Sequence, residues 1–123
     1  MSSNLVLPID SKWPATGQVE YLMTCQDLNE RRRVKDEINR TVLDKAREVK
    51  KYLDPQVTTS FGIAAVPDAV FDLCPQTQVD ALKLGVVVIS YSMVLPYLLL
   101  VFETMLQASQ TVDPRKLVNR QGH

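Results

Sequence analysis

The sequence predicts an α/β sandwich, with strands joined by helical crossovers around one core. Three observations carry this. Short apolar runs that stop abruptly occupy residues 5–13, 58–66 and 86–90. Between the first two, from Asp27 to about residue 52, apolar residues recur every three or four positions, the spacing of a helix face. Helical stretches also follow the second and third runs. The order β, α, β, α, β, α is that of strands crossed over by helices.

The first strand is Leu-Val-Leu-Pro-Ile-Asp-Ser-Lys-Trp, residues 5–13. Strand side chains alternate faces, so Leu5, Leu7, Ile9 and Ser11 point one way and Val6, Pro8, Asp10 and Lys12 the other. Pro8 cannot donate to a ladder, so an edge or a bulge is expected there. Residues 13–17 form a turn, and 18–25 a helical turn or two. Asp27 and Glu30 have the spacing of a capping box. Val34, Ile38, Val42, Ala46, Val49 and Leu53 make the apolar stripe of the long helix, with the basic residues on its other faces. Asp54-Pro55 ends it, since a residue before proline is pushed out of the α region.

The second strand, 58–66, is apolar on both faces, as suits a strand inside a sheet. Pro67 stops it, and Asp68 is expected to cap a helix over 69–74. After Pro75 a second helical piece covers 76–84. Gly85 fits a helix stop. Val86–Ser90 is the third strand, followed by a helix over 93–107 with Pro96 tolerated in its first turn. The domain is expected over 5–107. Residues 108–123 form a tail, in which Asp113-Pro114 starts a last short helix. Residues 84–106 are nearly free of charge and long enough to span a bilayer. Strand, turn and buried helix explain their composition shifts better, so no membrane association is expected.

The chain has 123 residues, 46% hydrophobic and 23% charged, enough for one compact core. Lys+Arg 14 balances Asp+Glu 14, so attraction to nucleic acid would have to come from a local patch. Arg31, Arg32, Arg33 and Lys35 are the candidate patch. They equally read as a solvated face balanced by Glu30, Asp36 and Glu37. Cys25 and Cys74 form no CxxC motif, and no signal peptide precedes them, so reduced thiols and a cytoplasmic setting are expected. The single histidine is His123, which excludes Ser-His-Asp and Cys-His systems and His-based zinc sites within this sequence.

The strand end offers chemistry of its own. A carboxylate binds a divalent metal through oxygen, and a lysine holds a metal-bound water or offsets charge on a phosphoryl oxygen. Asp10 and Lys12 supply that pair, the Asp-x-Lys of the PD-(D/E)xK nucleases. A surface ion pair is the plainer reading of the tripeptide.

Several segments together resemble the RmuC family of DNA recombination proteins. Ile9-Asp10-Ser11-Lys12-Trp13-Pro14 is similar to that family's Ile-Asp-Ser-Lys-aromatic-Pro segment, and Tyr21 matches a tyrosine soon after it. Lys51-Tyr52-Leu53-Asp54-Pro55 resembles its Lys-Tyr-hydrophobic-Asp-Pro. Thr58-Thr59 and then Phe61 to Pro67 resemble its Thr-Thr-x-Phe strand ending in Val-Pro, and residues 85–90 its next strand. The likeness covers about residues 5–106.

This resemblance implies a restriction-endonuclease-like α/β sandwich, incomplete on its N-terminal side. It implies a metal-dependent nuclease activity on DNA, with Mg²⁺ as the cation, and a role in limiting DNA rearrangement. Asp10 and Lys12 carry over as catalytic positions, and Asp10 as a metal ligand. Asp68 is the best second carboxylate. Three departures lead to the expectation of an incomplete site. Only nine residues precede Asp10, where an acid from an earlier strand is needed. Tyr91 stands where the family has proline, and Ala69 where it often has glutamate. The alternative is a non-catalytic interaction or structural module that keeps the fold. DNA binding is expected to be weak and sequence-independent. The unpaired apolar strand at Leu5 is expected to drive homo-oligomer formation.

Overall fold

The computed structural model describes residues 5–13 and 17–110. These fall into two units, residues 5–92 and residues 93–110. The first unit is mixed α/β. Three parallel strands, β1 (Ile9–Asp10), β2 (Gly62–Val66) and β3 (Val86–Ser90), lie in the order β1-β2-β3. Around them stand α1 (Gln18–Thr24), α2 (Leu28–Lys51), α3 (Asp68–Phe71) and α4 (Pro75–Lys83). The second unit is one helix, α5 (Val94–Gln110), reached through a 3-10 turn, Tyr91–Met93.

The long helix begins as its cap predicts. The Asp27 carboxylate accepts from the N–H groups of Asn29 (2.9 Å) and Glu30 (3.4 Å), satisfying two donors that have no partner within the helix. Its stripe Val34, Ile38, Val42, Ala46 and Val49 is buried. It packs with Ala64 and Val66 of β2, Val86 and Val88 of β3, and Ala81 of α4 in one core. Every residue of β2 is buried, as expected of a central strand. Gly85 takes φ 82, the left-handed conformation that ends α4 and turns the chain into β3.

The strands are shorter than the apolar runs. The first run contributes only Ile9–Asp10 and an isolated parallel bridge from Val6 to Thr58. The cause is visible in the register. Val6 faces Thr58, but Ile9 faces Ile63. Two more residues are thus used on the second segment than on the first, a bulge opposite Pro8. It lies where a neighbour would have looked to residue 8 for an N–H. β1 is an edge strand among the described residues, but Pro8 faces inward, so of the expected edge or bulge it is the bulge that accommodates it.

Two further expectations are corrected. Asp68 does not cap α3: Pro67 is the cap residue and Asp68 the first helical one. The helix after β3 is not a buried one. No side chain described in α5 is buried, and Leu95, Leu99, Leu100 and Phe102 are each more than half exposed. Among the described residues no helix is long and apolar enough to cross a membrane. Pro14 and the short helix expected from Asp113-Pro114 lie outside the described residues.

Candidate functional site

In parallel α/β sheets, ligands bind beyond the carboxyl ends of the strands. Here those ends bring Asp10, Pro67-Asp68 and Ser90 to one side of the sheet. Asp10 pairs in register with Ala64, so its side chain lies on the face covered by α2. It meets Lys45 there. The Lys45 ammonium donates to Asp10 Oδ1 at 2.9 Å and also to the Lys12 carbonyl. The Lys45 side chain is 9% exposed and that of Asp10 31%. The Lys12 N–H donates to the same Oδ1 at 3.0 Å, turning the chain sharply after the strand.

This changes the expected pairing. Alternation along one strand puts the Asp10 and Lys12 side chains side by side. Instead the strand ends at Asp10, and Lys12 binds it through the backbone, with its side chain exposed. The cation against Asp10 is Lys45. The sequence carried a signal for it. Lys45 is three residues after Val42 and four before Val49, and so belongs to the buried face. A lysine in that stripe calls for a carboxylate.

Asp68 has a different partner. Its Oδ1 accepts from the Ser92 N–H at 3.0 Å, fastening the start of α3 to the turn that follows β3. In that turn the Tyr91 hydroxyl donates to the Ser11 carbonyl at 2.8 Å. Tyr91 thus closes the rim between the ends of β3 and β1. Burial, and secondarily the charge of Asp10, push the Tyr91 hydroxyl above its ordinary value of 10.0. A raised folded value favours the protonated fold, so this contribution is full below pH 10.0 and is lost as pH rises through the folded value. Tyr91→Phe is expected to cost about 0.5–1.5 kcal/mol at neutral pH, the net worth of one hydrogen bond. It should also flatten part of the alkaline loss of stability, measured by urea unfolding on both sides of pH 10.

Beside the Asp10 end lies a groove of about 620 Å³ between the first strand segment and the last turns of α2. Val6, Pro8, Val49, Tyr52 and Val57 make it apolar at one end, and Asp10, Lys12 and Glu48 make it polar at the other.

The candidate basic patch is divided in its use. Arg31 Nη1 donates to the carbonyls of Leu22 and Cys25 (the latter at 3.0 Å), so it binds the C-terminal end of α1. Arg33 pairs with Glu30 at 2.9 Å and with Glu37. Its guanidinium holds the Glu30 carboxyl below the usual carboxylate range. Arg32 and Lys35 are exposed and make no ion pair among the described residues.

The donor set does not fit a magnesium centre as it stands. Mg²⁺ takes one or two carboxylates, waters and substrate phosphates. At Asp10 it would be placed beside an ammonium already bound to the carboxylate. Among the described residues no three His, Cys, Asp or Glu side chains stand close enough together to hold a metal ion. No family model, curated protein or solved structure matches the chain.

Proposed function

We propose that this chain is a module of a DNA recombination or processing protein of RmuC-like type, one that contacts the nucleic-acid backbone without cutting it. The Asp10–Lys45 ion pair carries this reading. It turns the residue expected to hold a metal into a neutralised anchor for the strand end. Lys12, Arg32 and Lys35 remain exposed to meet phosphates. With zero net charge around them, binding is weak and independent of sequence. Each phosphate neutralised on duplex DNA adds about 0.9 to the slope of log affinity against log salt, so three contacts give about 2.7. Fluorescence anisotropy with a short labelled duplex, titrated at several salt concentrations, measures this. Arg32→Ala with Lys35→Ala is expected to reduce the slope by about 1.8, again at 0.9 per contact. Undetectable binding at the lowest salt would leave a purely structural module.

The restriction-endonuclease-like fold and a complete metal-dependent nuclease are the second reading. One observation favours it: among the described residues the other Asp10 carboxylate oxygen accepts no hydrogen bond. A further acid brought by another chain segment would then complete the site. Metal binding is tested by thermal unfolding with and without Mg²⁺ or Mn²⁺, and cleavage by incubation with linear and branched DNA. A shift in Tm and cleavage, both lost in Asp10→Asn, would establish the nuclease and overturn the binding-only module.

A further inference from the structure

The first strand segment has a second edge. Its bonds to the neighbouring segment leave from alternate residues. The Val6 N–H donates to the Val57 carbonyl at 3.0 Å. The Val6 carbonyl accepts from Thr59 at 2.9 Å, and that of Pro8 from Ile63 at 2.9 Å. The N–H and C=O of a strand residue point the same way, and successive residues point to opposite edges. Those of Leu5, Leu7 and Ile9 therefore point outward. Among the described residues no backbone group bonds to them. Open edges are usually blunted by charge, proline or a bulge. Here the proline faces inward and the bulge is on the neighbouring segment. Residues 5–9 carry no charge.

We propose that this edge pairs with the same edge of a second copy, antiparallel, about a two-fold axis at Leu7. The register follows from which residues point outward. With Leu7 opposite Leu7 of the partner subunit, Leu5 falls opposite Ile9 of the partner subunit, and the reverse. All three outward residues then exchange hydrogen bonds. Val6 falls opposite Pro8 of the partner subunit at a position that needs no N–H, so the proline is accommodated. Asp10 and Lys12 lie beyond the paired stretch, and no like charges are brought face to face. Moving the axis to Ile9 would leave Leu5 unpaired.

Two side chains of this strand segment are themselves exposed, Val6 (55%) and Ile9 (41%). The paired stretch is short, residues 5–9 of each subunit, so the strands alone bury less than the roughly 1,000 Å² of a specific interface. The dimer is therefore weak and dependent on concentration. The paired sheet would run β3-β2-β1 through the axis into β1-β2-β3 of the partner.

Sedimentation velocity on the full chain over a wide concentration range tests the dimer. Leu7→Pro removes an outward N–H that the chain's own ladder does not use, and is expected to weaken association at least tenfold. Phe102→Lys, in α5, is expected to leave it unchanged. Cysteine pairing tests the register in a Cys25→Ser background. Opposed residues at such a position have Cα atoms about 5.5 Å apart, within the span of a disulfide. Leu7→Cys should cross-link under mild oxidation and Val6→Cys should not. A monomer at several hundred micromolar would overturn the proposal. So would association lost in Phe102→Lys but kept in Leu7→Pro, or equal cross-linking at positions 6 and 7. Should Leu7→Pro fail to fold, the two cysteine variants decide.

Discussion

Gly62→Ala is expected to destabilise the chain by about 1–3 kcal/mol, the cost of overpacking a filled core. A Cβ at this position would overlap Val49 Cγ1 and stand 3.3 Å from the Pro8 carbonyl oxygen. Val49 is 2% exposed and β-branched, so it has little freedom to turn aside. The Pro8 oxygen is held by its bond from Ile63. In an open strand the same substitution would help slightly, because alanine restricts the unfolded chain. The sign here thus reports the contact. Gly62 leaves the space that the Val49 side chain of α2 fills. Val49→Ala alone should also destabilise, but the double variant should lose less than the sum of the two. Urea unfolding of the four proteins measures that coupling, and strict additivity would show that the two positions do not touch.

Asp10→Asn is expected to cost about 2–3 kcal/mol. Breaking a buried ion pair by removing one member costs about 3–5 kcal/mol, because the other charge stays behind without water. The Lys45 side chain is nearly enclosed and would lose its counter-charge, keeping only neutral acceptors, the amide oxygen of the new side chain and the Lys12 carbonyl. Asp10 is about one-third exposed, which lets some water in and lowers the cost. Lys45→Met should cost less, about 1–2 kcal/mol, since the apolar stem is kept and the remaining carboxylate reaches solvent. The ranking is the sharp part. Urea midpoints with Lys45→Met below Asp10→Asn would mean that a stranded Asp10 carboxylate costs the fold more than a stranded Lys45 ammonium.

Periodicity exposed most of the architecture in the sequence, because burial leaves a strong mark there. The α2 stripe, the capping residue Asp27, the stop at Gly85 and the three strand positions were all legible. The strand lengths were not. Residues 5–8 and 58–61 read as continuations of the ladder, whereas pairing depends on how many residues each side spends between two bridges. At the candidate site, Asp10 was legible as the strand-end acid, but its partner was assigned to the wrong lysine. Alternation along a single strand sees Lys12. Only the packing of α2 across that strand brings in Lys45. Arg31 shows the same limit. Three consecutive arginines look like one patch, yet a helix sends successive residues about 100° apart. One arginine reaches back to α1, one pairs along the helix and one faces solvent.

The bulge opposite Pro8 also sets which changes of length this segment can absorb. Because it adds an even number of residues, side chains before and after it keep their faces: Thr58 and Ile63 still lie on opposite sides, as Val6 and Ile9 do. Losing a single residue there would turn the following strand over and carry its inward side chains outward. Losing both Ser60 and Phe61 would restore the phase but bring a carbonyl opposite a residue with no hydrogen to give. The odd-looking proline and the two additional residues are therefore one device, and only an even change of length that leaves the proline's inner side unasked would keep both the faces and the pairing.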